Sequence, residues 1–139
     1  RLDSLQAAVL LAKLPHLAAW SDARRKNAAF YDAAFADVPD IVTPYVDPAN
    51  TSIYNQYTLR VERRDALQAH LKAQGIGNSV YYPLPLHLQP CFAYLGYQEG
   101  QCPESERAAK SVISIPVFPE LTAGQRDTVV AAVRTFYGR

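Results

Sequence analysis

The sequence predicts a chain of mixed α/β class, with a helical arm first and then a small α+β domain whose sheet is mostly antiparallel. Apolar residues recur at helical spacing through most of residues 2–36. Residues 53–61 then alternate between apolar and polar side chains, as in a strand with one buried face. Further helical patterns and one more short apolar run follow, so we expect helices to pack on the sheet.

The arm is predicted to contain two helices. The first covers residues 2–14, where Asp3 is favourable near the positive end of the helix dipole. Because no capping residue precedes the pattern, we interpret the chain as beginning inside a running helix, as the C-terminal part of a larger protein. Pro15 opens a second helix that ends near Ala36. One side of the second helix carries an apolar stripe, formed by Leu17, Trp20, Ala28, Tyr31 and Phe35.

The α+β domain is predicted over residues 38–139, after the arm at residues 1–37. Prolines and aspartates indicate an irregular connection at 37–51. The elements predicted after it are a strand at 53–61, a helix at 63–74, a strand at 79–82, a helix at 103–111, a strand at 112–117 and a last helix. A capping box between Thr122 and Gln125 begins the last helix. The buried stripe of that helix is expected to be Val129, Val133 and Phe136.

Composition and charge argue against several classes of function. The 139 residues are 49% hydrophobic and 19% charged, and a net charge of +1 gives no reason to expect binding to nucleic acid or to a membrane surface. No apolar run approaches the roughly 18 residues that a membrane span needs. The cluster Arg24-Arg25-Lys26 is interpreted as a solvated helix face. Cys91 and Cys102 have neither metal-ligand nor redox spacing, and we expect free thiols.

The segment Tyr81–Pro90, called the motif segment below, is the best candidate for a functional site. Its prolines make it a stiff connection that holds two tyrosines and a histidine in place. Tyr81 and Tyr82 would point to opposite faces of a strand, so at most one is expected in the core. For His87, a structural bond and a contact with a ligand are both open. No metal-ligand spacing is present, and the lysines occupy ordinary helical positions, namely Lys13, Lys26, Lys72 and Lys110.

Four stretches carry a family resemblance when they are taken in order: Arg1–Leu10 with Lys13-Leu14, Ser52–Arg60, Gly75-Ile76 leading to Tyr82–Pro90, and Ser114–Thr122. They resemble the sugar-nucleotide aminotransferases of the DegT/DnrJ/EryC1/StrS family. The Tyr-x-Gln-Tyr-Thr strand and the Leu-Gln-Pro after His87 are most similar to one branch of it. That branch aminates C3 of a UDP-linked 2-acetamido-3-keto-hexuronate with glutamate, for lipopolysaccharide (O-antigen) and other surface glycans.

The resemblance implies a fold-type I transferase that uses pyridoxal 5'-phosphate (PLP), in a cytoplasmic homodimer with active sites at the subunit interface. In the family, the lysine that holds PLP as a Schiff base lies well before the Arg-Leu-Asp segment, as do most other cofactor contacts. The resemblance therefore implies no catalytic and no cofactor-binding residue in this chain, and no activity of the chain alone. The arm at 1–37 would then continue from a PLP-binding large domain.

Four residues lie at positions of the family's substrate site, and three of them match its pattern. Arg1 would meet a carboxylate or a cofactor-side group across the dimer, because a guanidinium binds both carboxylate oxygens. Tyr82 would bond to a substrate hydroxyl or phosphate. Tyr81 departs from the pattern, since relatives often carry His there, and this leaves the exact substrate open. His87 matches the motif histidine, for which loop bracing and substrate contact both remain open.

Two other functions stay open at this stage. One is a dehydratase on the same fold, in which a histidine replaces the Schiff-base lysine at a position before Arg1. The other is a non-enzymatic α+β module that binds or regulates a partner. The interpreted start inside a helix argues against the second.

Overall fold

The computed structural model describes residues 3–139, which form five helices and a three-stranded sheet. The helices are α1 (Ser4–Lys13), α2 (Leu17–Phe35), α3 (Arg64–Ala73), α4 (Pro103–Ser111) and α5 (Ala123–Phe136). The strands are β1 (Ile41–Val42), β2 (Tyr57–Val61) and β3 (Val112–Ile115), and both neighbouring pairs are antiparallel. Short 3-10 helices cover Leu14–His16, Leu86–Leu88 and Pro90–Leu95. The predicted fold class, helices followed by a small antiparallel α+β unit, is confirmed.

α1 begins at Ser4 with a cap, so the interpretation of a helix already running without one is wrong. Asp3 is extended (φ −66°, ψ 142°), and its carboxylate accepts hydrogen bonds from the N–H groups of Leu5 and Gln6. A side-chain oxygen in this position pairs N–H groups that the first turn of a helix leaves free. Asp3 is therefore the N-cap of α1 rather than a residue of its first turn.

Only the second half of α2 enters the core. Ala28, Tyr31 and Phe35 of the predicted stripe are buried, whereas Leu17 is exposed and Trp20 is half-buried. The first half of α2 and α1 instead form a surface cavity of about 570 Å³, called the arm groove below. Its apolar lining comes mainly from Leu10, Leu11, Leu14, Leu17 and Trp20.

One hydrophobic core joins the second half of α2 to the sheet. The strands supply Tyr57, Leu59, Val61, Ile113 and Ile115 to it. Tyr31 of α2 packs against Tyr57 of β2 with their ring centroids 5.2 Å apart. The core therefore extends across residue 37, and the division into an arm and a domain at that residue remains a prediction about the parent protein.

β2 and β3 are both shorter than the apolar patterns predict. β2 begins at Tyr57 rather than at Ile53, because Tyr54 has a left-handed φ of 45° that interrupts the extended backbone. β3 ends at Ile115, because Pro116 has no N–H group with which to continue the ladder. The patterns thus located both strands but overestimated their lengths.

Two further differences concern strand pairing. The strand predicted at 79–82 does not form, and only an isolated bridge joins Ser79 to Ser114. The connection predicted to be irregular contains β1, in which Ile41 pairs with Val61. A strand of two residues is too short to show an alternating pattern, so pairing with β2 is what defines it.

The helix ends in the domain follow the sequence closely. α3 ends just before Gly75, whose φ of 71° suits glycine. α5 begins with the predicted capping box, in which the side chains of Thr122 and Gln125 each accept a hydrogen bond from the other's N–H group. Nε2 of His70 on α3 lies 3.1 Å from the carbonyl oxygen of Ala132 on α5. In the predicted stripe of α5, Phe136 is half-buried and the two valines are buried.

Some structural features can be excluded for residues 3–139. None of their helices is long and apolar enough to cross a membrane. They contain no group of three or more His, Cys, Asp or Glu side chains placed to hold a metal ion. Cys91 and Cys102 are free thiols, as expected.

Candidate functional site

Tyr81 and Tyr82 are both exposed on the motif segment. Tyr81 is 45% exposed and Tyr82 69%, and their rings meet edge to face with centroids 5.9 Å apart. Because no strand forms here, neither ring enters the core. Both tyrosines are therefore accessible from the surface.

A cavity of about 410 Å³, called the tyrosine groove below, separates the motif segment from α4. Tyr81, Tyr82 and Gln89 supply polar groups on one side, and Ser105 lies on the side of α4. The remaining lining is apolar: Leu84, Pro85, Leu86, Ala108, Ala109 and Val112. Hydroxyl donors beside apolar and aromatic walls suit a ligand that is polar at its edge and apolar on its face, such as a sugar or a nucleobase.

His87 does not point its Nε2 atom into this groove. Nε2 lies 3.0 Å from Oε1 of Glu106 on α4, and both side chains are almost buried, at 9% and 11% exposure. The same carboxylate accepts hydrogen bonds from the N–H groups of Gly100, at 2.8 and 2.9 Å, and of Cys102, at 3.2 Å. His87 therefore ties the motif segment to α4 through Glu106.

The charge of Glu106 follows from these contacts. Burial alone would raise its pKa, but the N–H groups of Gly100 and Cys102 and the imidazole of His87 outweigh burial and hold the pKa below its ordinary value. An ionised carboxylate only accepts hydrogen bonds, so Nε2 of His87 carries the hydrogen. Of the two roles left open for His87, this geometry supports loop bracing.

A second cavity, of about 500 Å³, lies on the other side of Tyr81. Arg24 borders it, and its Nη1 donates to the carbonyl oxygens of Tyr54 and Asn55 at 3.3 and 3.4 Å. Asn78 also borders it, and its buried Oδ1 has no hydrogen-bond partner in the structure. The interpretation of Arg24 as part of a solvated face is therefore wrong. The helical pattern of α2 could not reveal these hydrogen bonds, because Tyr54 and Asn55 lie about 30 residues away from Arg24 in the sequence.

The described residues offer no lysine for a Schiff base near the tyrosines. No lysine lines either cavity that Tyr81 borders. Lys13 lies over the Trp20 ring at 5.7 Å, and Lys110 pairs with Glu99 at 3.6 Å. Arg1, the fourth candidate site residue, lies outside the described residues.

Three curated relatives show what the sequence is similar to. The "Pleiotropic regulatory protein" of Geobacillus stearothermophilus is 52% identical, over 99% of this chain and 37% of its own length. The dTDP-3-amino-3,4,6-trideoxy-alpha-D-glucose transaminase of Streptomyces venezuelae is 40% identical, over 100% of this chain and 37% of its own length. The UDP-2-acetamido-2-deoxy-3-oxo-D-glucuronate aminotransferase of Pseudomonas aeruginosa is 40% identical, over 96% of this chain and 36% of its own length. The chain thus spans little more than a third of the length of these relatives.

A solved structure agrees with the fold over the whole chain. The crystal structure of S. venezuelae DesV in complex with a ketimine intermediate matches with a TM-score of 0.96 and 40% identity, over 100% of this chain and 38% of that one. The model of the DegT/DnrJ/EryC1/StrS aminotransferase family matches residues 1–134. This match confirms the resemblance seen in the four sequence stretches. The chain belongs to the DegT/DnrJ/EryC1/StrS aminotransferase family.

Proposed function

We propose that the protein containing this chain is a PLP-dependent aminotransferase that moves an amino group from glutamate to the keto group of a nucleotide-linked sugar. The family match over residues 1–134 carries this proposal. Two of the relatives reported above are named as aminating enzymes of nucleotide sugars. The enzyme would be a homodimer. It would act in the cytoplasm, because nucleotide sugars and glutamate are available there. PLP supplies the electron sink for the reaction when it is bound.

The chain's own residues would form part of the substrate wall. Tyr81 and Tyr82 would donate hydrogen bonds to hydroxyl or phosphate oxygens of the nucleotide sugar, and the apolar side of the tyrosine groove would exclude water. Arg1 would bind a carboxylate from the partner side of the dimer. None of the lysines in residues 3–139 lines the groove, and the resemblance implies that the lysine holding PLP lies before Arg1. We therefore expect the 139-residue chain alone to have no transaminase activity.

For the sugar, we propose a UDP-linked 3-keto-hexuronate used in surface-polysaccharide or lipopolysaccharide biosynthesis. The motif stretches and the P. aeruginosa relative support this choice. The S. venezuelae relative is also 40% identical and is named for a dTDP-linked deoxy sugar. Sequence identity therefore does not favour the hexuronate over the deoxy sugar. A hexuronate has a carboxylate that a neutral deoxy sugar lacks. Replacing Arg1 should therefore weaken binding of the uronate selectively, if the hexuronate is the substrate.

The first experiment is to sequence the source reading frame before Arg1 and then to assay the full-length protein. A lysine at the Schiff-base position well before Arg1 supports the aminotransferase. Glutamate-dependent amination of the UDP-keto-hexuronate would then support the substrate, whereas activity only with dTDP-linked neutral keto sugars would overturn it. A histidine at the lysine position would indicate the dehydratase. A start codon directly before Arg1 would overturn both enzymatic functions.

A regulatory role is the second candidate, because the 52% identical relative is named a pleiotropic regulatory protein. The two candidates differ in what the full-length protein must do. An aminotransferase would transfer the amino group of glutamate to bound PLP and release 2-oxoglutarate, and this change in the cofactor's absorption would need no partner protein. A full-length protein that binds no PLP and shows no such change would favour the regulatory role.

A further inference from the structure

Glu106 is unusual among the charged residues of the described chain. Within residues 3–139 it is the only carboxylate in the buried polar set, which otherwise contains Asn27 and Ser114. A buried charge is costly unless hydrogen bonds replace its lost water. Glu106 has such bonds, from one side chain and two backbone N–H groups. Nothing in the hydrophobic core requires a carboxylate at this position.

The donors to Glu106 come from two places that are distant along the chain. His87 lies in the motif segment, whereas Gly100 and Cys102 lie just before α4. The chain between them is exposed at residues 93–100, where a surface ion pair also joins Glu99 to Lys110 of α4. The carboxylate therefore closes a long surface loop at both of its ends.

The same helix forms a wall of the tyrosine groove. Ser105, Ala108 and Ala109 of α4 line the groove opposite Tyr81 and Tyr82. Pro83 and Pro85 lie between the tyrosines and His87 and restrict the backbone there. A displacement of His87 would therefore also displace Tyr81 and Tyr82. A shift of His87 relative to Glu106 would therefore change the spacing between the two groove walls.

We propose that Glu106 is a positioning residue of the substrate site. Its carboxylate holds the motif segment, through His87, and residues 100–102 against α4, and in this way it sets the geometry of the groove beside Tyr81 and Tyr82. The ordering of the loop depends on contacts within the chain alone. Its effect on substrate binding rests on the proposed function.

The direct test measures amide hydrogen exchange in the 139-residue chain with Glu106→Gln. Glutamine keeps the size of the side chain but removes its charge and one of its two acceptor oxygens. Gly100 then loses its second acceptor, and the remaining bonds from Gly100 and Cys102 are no longer strengthened by a charged acceptor. We expect exchange at Gly100 and Cys102 to become about tenfold faster. Exchange at core residues such as Leu59 and Ile113 should stay within about twofold of the unmodified chain. The matched control is Glu104→Gln, because Glu104 lies on α4 and pairs on the exposed surface with Arg107.

Two outcomes of the exchange measurement would overturn the proposal. One is unchanged exchange at Gly100 and Cys102. The other is faster exchange throughout the core, which would show a general effect on stability. If Glu106→Gln does not fold, His87→Phe removes one donor and keeps an aromatic ring, and it should loosen residues 86–88 alone. Uniform loss of protection in that variant would also count against a positioning role.

A kinetic test in the full-length protein separates this inference from the proposed function. With Glu106→Gln, we expect KM for the nucleotide sugar to rise about fivefold or more, with kcat within about twofold. A fall in kcat with unchanged KM would overturn the role in positioning the groove. If the unmodified full-length protein is not an aminotransferase, the proposed function fails. The exchange measurement still decides whether Glu106 holds the loop.

Discussion

Tyr57 of β2 donates a hydrogen bond to Oδ1 of Asp32 on α2 across 2.5 Å. Tyr57 is fully buried, and burial, with Asp32 as the next cause, raises its pKa far above the ordinary value. The phenol is therefore always the donor. This bond, together with the packing of Tyr31 on Tyr57, makes the second half of α2 part of the sheet domain.

Tyr57→Phe should destabilise the chain by about 1.5 kcal/mol, because a hydrogen bond to a charged acceptor is lost while the ring still fills its place. Half-buried Asp32 can recover part of the loss through water. Urea unfolding at pH 7 measures the difference. Tyr45→Phe is the control, since Tyr45 is exposed. Equal stability of the unmodified chain and Tyr57→Phe would contradict a structural role for this bond.

Asp37 should contribute to the pH dependence of stability. Its hydrogen bonds from Arg134, at 2.6 and 2.9 Å, lower its pKa from 3.8 to about 2. Because the folded-state pKa is the lower one, the contribution is fully present above about pH 3.8 and is lost as the pH falls through about 2. Asp37→Asn should thus be less stable than the unmodified chain at pH 7 and equally stable near pH 2.

Urea midpoints at several pH values between 7 and 2 measure this effect. Arg134→Gln is the partner control, and adding it to Asp37→Asn should remove no further pH dependence over this range. A difference between the unmodified chain and Asp37→Asn that stays constant as the pH falls would contradict the assignment to Asp37.

The 139-residue chain should self-associate through the arm groove. Leu11 and Leu14 are 69% and 61% exposed, next to one another in the groove, and an apolar surface of this kind tends to be covered. Leu11→Glu with Leu14→Glu should shift sedimentation toward the monomer and reduce binding of a hydrophobic dye. Ile53→Glu is the control, because Ile53 is also exposed, at 54%, and lies outside the arm groove. A clean monomer without dye binding in the unmodified chain would contradict the prediction.

Tyr82→Phe in the full-length protein should raise KM for the nucleotide sugar by about two- to tenfold, because one neutral hydrogen bond is worth about 0.5–1.5 kcal/mol. The protein should fold normally, since the hydroxyl is exposed. Tyr94→Phe is the control, because Tyr94 is also exposed but does not line the tyrosine groove. Steady-state kinetics with varied sugar and saturating glutamate make the comparison. An unchanged KM would remove Tyr82 from the proposed substrate site.

Local features of the fold were predictable because neighbouring residues produce them. The capping box of Thr122 with Gln125 and the end of α3 at Gly75 each depend on a few consecutive residues. Asp3 shows the limit of this reasoning: its type suits both an N-cap and a first helical turn, and only its extended backbone identifies the cap. The length of β2 likewise required the pairing and the left-handed Tyr54.

By itself, the sequence determined the family, the order of the five helices with β2 and β3, and the stiffness of the motif segment with its two tyrosines and His87. These properties follow from residue types, periodicity and the fixed φ of proline, all of which act over short distances along the chain. Only the tertiary structure decided that His87 binds Glu106, that Arg24 borders a cavity and that Tyr57 binds Asp32. Each of these pairings joins residues from different elements, and a hydrogen-bond partner at that separation exists only after the core has packed.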